Sequence, residues 1–126
     1  MEFVKLLLSK TYQGYSYINA SDIKMSILGL FLTDDVGCSP SPFKEWAFND
    51  NWGDACSGNI TGLEKEDNYI LLTDLYSEEE VPTILKLTKK QYKQILTDWE
   101  EKVCKLKPKE VIIKYENDEF VMETKD

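Results

Sequence analysis

Hydrophobic and polar residues alternate along the first part of the chain, which is the period-2 pattern of a β-strand with one buried face. An apolar run at residues 3–8 predicts a first strand. Aromatic side chains at alternate positions predict a second strand: Tyr15 and Tyr17, with Tyr12 as a further candidate. Residues 23–33 alternate at first and are then continuously apolar around Gly29. That pattern predicts a third strand, with a bulge at the glycine or with both faces buried.

The following segment, residues 33–62, is rich in glycine, asparagine, aspartate and serine, the residue types that favour turns. It also carries two tryptophans, Trp46 and Trp52, which a flexible linker would have no reason to contain. We therefore expect an ordered, irregular surface segment, with room for a short helix at residues 43–48.

Four short apolar runs in the second half of the chain predict strands. Residues 69–72 and 83–87 are two such runs, separated by an acidic turn. Residues 111–115 and 120–122 flank a polar turn. The last two runs therefore predict a β-hairpin.

Residues 88–107 show the 3.6-residue period of an amphipathic helix. Thr88 and Gln91 fit a capping box, in which each side chain satisfies a backbone N–H at the start of the helix. Pro108 ends the pattern, because proline cannot continue the helical hydrogen bonds. The predicted buried face consists of Tyr92, Ile95, Leu96, Trp99, Val103 and Leu106.

These elements predict an α+β fold in a single domain over residues 1–126. We expect a mostly antiparallel sheet of about five to seven strands, covered on one face by the long helix of residues 88–107. The predicted order is three strands, the irregular segment, two strands, the helix and two strands. A chain of 126 residues with 42% hydrophobic content suits one compact domain.

The apolar stretches are much shorter than the ~20 residues that cross a bilayer. The N-terminus shows no pattern of a secretory signal. We therefore expect a cytoplasmic protein with no membrane partner.

The chain carries 23 acidic residues against 15 lysines, a net charge of −8, and contains neither histidine nor arginine. This charge repels a phosphate backbone, so direct binding to nucleic acid is not expected. The three cysteines, Cys38, Cys56 and Cys104, have no C-x-x-C spacing and no histidine partners. Free thiols are the simplest interpretation, and no zinc site is expected.

Catalytic chemistry has few candidates in this sequence. Without histidine, acid–base or nucleophilic catalysis would have to use lysine or carboxylate partners, and neither a G-x-S-x-G motif nor a Walker-type phosphate loop is present. The loop at residues 49–54 offers oxygen ligands for a hard cation but lacks the spacing of an EF-hand loop. We therefore expect a protein that is not an enzyme and has no catalytic residues, no metal site and no cofactor.

Two acidic clusters with aromatic neighbours are the predicted partner-binding residues. The first, here called the acidic loop, consists of Asp74, Tyr76, Glu78, Glu79 and Glu80. The second, here called the Trp52 cluster, consists of Asp50, Trp52 and Asp54. Negative charge beside aromatic side chains can attract and dock a cationic partner. The alternatives are a solvated turn or a helix start capped by Ser77 for the acidic loop, and a buried core anchor for Trp52.

Four segments of the second half carry a resemblance to a known group of proteins. They are ILLTDLYSEEE at residues 70–80, LKLTKKQY at 85–92, ILTDW at 95–99 and KPKEVII at 107–113. In this order, over about residues 69–115, the chain resembles small bacterial immunity proteins of contact-dependent growth inhibition and other polymorphic toxin systems.

The resemblance implies a cytoplasmic, non-catalytic protein that binds one cognate toxin domain and blocks its active site. The implied toxin is a nuclease with a basic cleft, which an acidic inhibitor complements in charge. Two alternatives remain open at this point: an acidic interaction or regulatory module with another partner, and a small enzyme.

Overall fold

The computed structural model describes residues 1–10 and 14–126, and it has the predicted α+β class. Its strands are β1 Glu2–Leu8, β2 Tyr15–Ala20, β3 Ala55–Ser57, β4 Thr61–Glu66, β5 Tyr69–Asp74, β6 Ile84–Thr88, β7 Glu110–Glu116 and β8 Glu119–Lys125. Its α-helices are α1 Ile23–Leu30, α2 Ser41–Phe48 and α3 Lys89–Asp98. Two π-helical segments, Phe31–Val36 and Trp99–Cys104, continue α1 and α3, and a 3₁₀ turn, Asp50–Trp52, follows α2. The candidate strand residue Tyr12 lies outside the described residues.

The strands form two antiparallel sheets of four strands each, instead of the predicted single sheet of five to seven strands. The first sheet has the order β2-β1-β7-β8 and the second has the order β3-β4-β5-β6. β1 therefore pairs with β7, more than a hundred residues later in the chain. Alternation along a strand shows which face is buried but not which strand is its neighbour, so the sequence pattern could not separate the two sheets.

Residues 23–30 form helix α1, so the prediction of a third strand there is wrong. The Asp22 side chain caps this helix by accepting a hydrogen bond from the backbone N–H of Met25. Gly29 is neither a bulge nor a strand residue. A Cβ atom at this position would stand 2.5 Å from Val4 Cγ2, so the glycine lets α1 pack directly on β1.

The predicted helix at residues 88–107 is present from Lys89 to Cys104, with its last six residues in the π conformation. Both hydrogen bonds of the Thr88–Gln91 capping box form. Five members of the predicted buried face are buried, namely Tyr92, Ile95, Leu96, Trp99 and Val103. The sixth, Leu106, is exposed, because the helix has ended before it and the chain turns at Lys107, whose φ is 52°.

The helices form a layer between the two sheets. Helix α1 contacts β1 and β2 of the first sheet and β5 and β6 of the second. Helix α3 contacts β5, β6 and β8, so it packs on both sheets and not on one face of a single sheet as predicted. One face of each sheet is therefore buried against helices, and the other face is left outside.

The strands predicted at residues 69–72 and 83–87 correspond to β5 and β6, and the predicted hairpin to β7 and β8. The hairpin turns at Asn117 and Asp118, which both have positive φ, as a type I′ turn requires.

The segment at residues 33–62 contains more regular structure than its composition predicts. Helix α2 confirms the short helix expected at residues 43–48. Strand β3 and the start of β4 also lie in this segment, and neither was predicted. Leu63 is the single large aliphatic residue of β4, so this strand carries too weak an alternation to be recognised in sequence.

Candidate functional site

The acidic loop connects β5 to β6 and covers the end of the second sheet. Asp74 is the last residue of β5, and its Oδ1 accepts a hydrogen bond of 2.9 Å from the backbone N–H of Tyr76. The Ser77 hydroxyl accepts a hydrogen bond of 3.2 Å from the Glu79 backbone N–H. These are short-range turns of the kind that aspartate and serine favour, and no helix begins at Ser77. They hold Tyr76 outward, with 72% of its surface exposed.

The Trp52 cluster lies on the 3₁₀ turn that leads into β3. Asn49 caps this turn by accepting a hydrogen bond from the Asn51 backbone N–H, and its own carbonyl accepts one of 3.0 Å from Lys65 Nζ. Trp52 is 48% exposed, so it is not the buried anchor considered as an alternative. That position in the core belongs to Trp46, whose ring lies under the Lys65 ammonium at 4.8 Å.

The structure does not bring the two predicted clusters into contact. The backbone carbonyl of Asp54 accepts a hydrogen bond from the Lys65 backbone N–H near one end of β4. Asp74 is the β5 partner of Thr61 at the other end of β4. Four residues of extended strand separate these points, a distance of ~13 Å. The acidic loop and the Trp52 cluster are therefore two separate negative regions near opposite ends of β4.

Between these two regions lies an apolar groove that the sequence analysis missed. It occupies the outer face of the second sheet, has a volume of about 260 Å³, and is open to the outside. The residues that define this sheet groove are Ala55, Ser57, Gly62, Leu71, Thr73, Leu75 and Ile84. Because two of its four strands were not predicted, their joint face could not be predicted either.

The groove results from the strand register, which aligns small and apolar residues across the sheet. Ser57, Gly62, Thr73 and Ile84 lie side by side across the four strands of the sheet. Gly62 has no side chain to fill the centre of this row, and Leu75 extends the apolar surface toward the acidic loop. Ile84 is 46% exposed although it lies on a regular strand. An apolar surface of this kind, rimmed by charge, is typical of a binding site for another molecule.

The carboxylates of the two predicted clusters accept hydrogen bonds within their own loops, as Asp74 does from Tyr76 and Glu79 does from Thr83, but they form none of the ion pairs found among the described residues. Among the described residues, the ion pairs are Lys5–Glu110, Lys86–Glu66 and Lys114–Glu123. None of these pairs includes a carboxylate of the acidic loop or of the Trp52 cluster. Their negative charge therefore remains available to a cationic partner.

One positively charged side chain borders the outer face of this sheet. Lys86 Nζ lies 3.8 Å from Glu66 Oε1 and 4.2 Å from the centre of the Tyr69 ring. Both contacts hold the lysine at the end of the sheet near the β4–β5 turn. The acidic side chain that lines the groove is Glu64 of β4.

The ionisable residues that line the groove are Cys56 and Glu64. Burial raises the pKa of the Cys56 thiol, which lines the groove, so this cysteine keeps its proton at neutral pH. In the part of the chain that the structure describes, no group of three cysteine or acidic side chains is close enough together to hold a metal ion.

A larger cavity, about 640 Å³, lies between α3 and the β7–β8 hairpin. It is lined by a mixture of polar and apolar side chains, and Gln91 Nε2 bridges it by donating to the Asp118 carbonyl at 2.9 Å. This cavity contains neither of the predicted clusters.

None of the helices formed by residues 1–10 and 14–126 is both long enough and apolar enough to cross a bilayer. Comparisons of the chain with protein-family models, with curated proteins and with solved structures each return no match.

Proposed function

We propose that this protein is an immunity protein, which binds a basic bacterial toxin domain through the sheet groove and the two acidic regions on either side of it. The single observation that carries the proposal is an uncovered apolar groove, lined also by Glu64, on a sheet that has the Trp52 cluster near one end of β4 and the acidic loop near the other. Apolar side chains supply affinity when they are desolvated at the centre of an interface. Acidic side chains at the rim supply long-range attraction for a positively charged surface.

The net charge of −8 supports a basic partner over a neutral or acidic one. Association of oppositely charged surfaces is accelerated by electrostatic steering, which matters for an inhibitor that must reach its toxin before the toxin acts. A nuclease toxin suits this logic, because a cleft that binds phosphate must be positively charged. The acidic loop and the Trp52 cluster would occupy such a cleft.

The rigidity of the scaffold also supports a binding role. The groove is built from four hydrogen-bonded strands whose inner side chains, such as Leu63, Leu72 and Leu85, are buried against the helices. A preformed surface costs little ordering entropy on binding, and this favours tight complexes. The more adaptable contacts would come from Tyr76 and the glutamates of the acidic loop.

An acidic interaction module with a different partner would use the same surface, and the identity of the partner separates the two functions. The test is to purify the protein with the toxin domain encoded beside its gene and to measure both binding and inhibition of the toxin. The proposal expects a stoichiometric complex and loss of toxin activity. Binding without inhibition would favour the interaction module, and absence of binding would contradict both functions for that pair.

A further inference from the structure

Two cysteines that are distant in sequence become neighbours in the structure. Cys38 follows the π-helical segment Phe31–Val36, and Cys104 is the last residue of the segment Trp99–Cys104. The carbonyl of Gly37 joins these two ends, since it accepts hydrogen bonds from Trp99 Nε1 at 2.6 Å and from the Cys104 thiol at 3.4 Å. The Cys104 sulfur therefore contacts the peptide unit that leads directly into Cys38.

The two thiols differ in their surroundings. Cys38 is exposed, and Lys107 Nζ lies 3.5 Å from its sulfur. Cys104 is half-buried, and its pKa is raised by burial first and then by a hydrogen bond to the Cys38 thiol. A peroxide in solution therefore meets Cys38 first, and finds Cys104 behind it as a protonated neighbour.

We propose that Cys38 and Cys104 are an oxidation site, a dithiol that peroxide converts into an intramolecular disulfide. In the first step the Cys38 sulfur attacks hydrogen peroxide; an S–O bond forms, the O–O bond breaks, and water leaves after proton transfer. In the second step the Cys104 sulfur attacks the Cys38 sulfenic acid; the S–S bond forms and the S–O bond breaks. The second oxygen leaves as water with the Cys104 thiol proton. Two thiols lose two electrons in total, and one peroxide is reduced to two molecules of water.

The position of the pair gives the oxidation a structural consequence. The disulfide would connect the chain after α1 to the end of the α3 helix, across more than sixty residues of sequence. Closing a long loop restricts the unfolded chain, so the oxidised protein should unfold at a higher temperature than the reduced one. The sheet groove lies elsewhere in the molecule, so this site does not depend on the proposed function.

The test treats the reduced protein with hydrogen peroxide and measures intact mass, free thiols and the disulfide-linked peptide. The expected result is the loss of two hydrogens, one free thiol remaining of three, and a peptide that links Cys38 to Cys104. A Cys56→Ser variant is the matched control and should give the same linked peptide. The single variants Cys38→Ser and Cys104→Ser should give none, with circular dichroism to show that each is folded.

Three outcomes would overturn the proposal. The first is stable sulfinic acid at Cys38 while Cys104 remains reduced. The second is a disulfide that uses Cys56 or joins two molecules. The third is a melting temperature of the linked protein that does not exceed that of the reduced protein.

Discussion

Gly62 and Thr73 face each other across the β4–β5 pair, and a Cβ atom at position 62 would stand 2.9 Å from Thr73 Oγ1. The same Cβ atom would stand 3.0 Å from the end of the exposed Leu75 side chain. The absence of a side chain at this one position therefore opens the middle of the sheet groove. The shape of the groove, which is the proposed binding surface, therefore depends on a glycine that has an ordinary strand conformation.

Filling the groove should weaken binding without unfolding the protein. In Gly62→Ala the added methyl group can be accommodated by rotation of the Thr73 hydroxyl and of Leu75, so we expect a stability change within about 0.5 kcal/mol. Affinity for the toxin domain should fall by ~1 kcal/mol, about fivefold, because the partner loses its closest approach to the sheet. Titration calorimetry and thermal unfolding measure the two effects. Unchanged affinity would show that the partner does not enter the groove.

The two tryptophans Trp99 and Trp52 should respond very differently to truncation. Trp99 is fully buried, donates to the Gly37 carbonyl and packs edge-to-face on Tyr15, so Trp99→Ala should cost ~3 to 5 kcal/mol. Trp52→Ala removes a ring of equal size from the surface and should change stability by less than about 0.5 kcal/mol. Urea unfolding compares the two variants. Equal losses of stability would contradict the assignment of core and surface.

The acidic loop should act mainly through charge. Neutralising Glu78, Glu79 and Glu80 together to Gln should slow association with the toxin domain and reduce its dependence on salt. If the complex desolvates these carboxylates and pairs them with cations of the partner, neutralising them should weaken binding by a further ~2 to 5 kcal/mol. Asp50→Asn with Asp54→Asn tests the Trp52 cluster separately. The association and dissociation rate constants of each variant, measured at low and moderate salt, show the contribution of each cluster.

A matched control removes the same number of charges elsewhere. Neutralising Glu101, Glu116 and Glu119 to Gln also reduces the net negative charge from −8 to −5, at exposed positions that do not line the sheet groove. If the two triple variants slow association equally, overall charge and not the acidic loop attracts the partner.

The stability of the fold should decrease at high pH through Tyr15. Burial raises the pKa of Tyr15 from 10.0 to about 12, and negative charge on Cys104 and Cys38 adds to the effect. Because the folded protein holds this proton more tightly than the unfolded chain, the stabilisation is complete below pH 10 and is lost as the pH rises towards 12. Thermal unfolding between these values should show a smaller decrease for Tyr15→Phe than for the wild type. The variant Tyr76→Phe, at an exposed tyrosine, should behave like the wild type.

Local sequence patterns were sufficient to locate helix α3 but not helix α1. The capping box of Thr88 and Gln91 and the helical period after it are local patterns, and they located α3 and its buried face. Residues 23–27 alternate in polarity over one short stretch, which a helix with buried Met25 and Leu28 also satisfies. Local periodicity therefore misassigned α1. The cap at Asp22 was the signal that could have corrected it.

The candidate site was only partly predictable for a related reason. Exposed acids and aromatics in turn-forming sequence indicated the acidic loop, and the exposed Tyr76 agrees with that indication. The sheet groove depends on the pairing of β3, β4, β5 and β6, which is not encoded in any one segment. Even the apolar outer residues Leu71 and Ile84 gave no signal of their own, since each lies in a strand whose other face is also apolar.

The central claim is that a partner binds the outer face of the second sheet, and a pair of isoleucines tests it most directly. Ile84 on β6 is 46% exposed beside the groove, and Ile18 on β2 is 45% exposed on the first sheet. Each lies on an edge strand, Ile84 in regular register with Thr73 and Ile18 at the register shift between β1 and β2, so Ile84→Lys and Ile18→Lys place the same charge at two exposed edge positions. The measurement is the Kd of each folded variant for the proposed partner, the cognate toxin domain. Our account predicts that Ile84→Lys loses ~2 kcal/mol or more, about 30-fold in Kd, while Ile18→Lys binds like the wild type. Wild-type affinity for Ile84→Lys, or an equal loss for both variants, would contradict it.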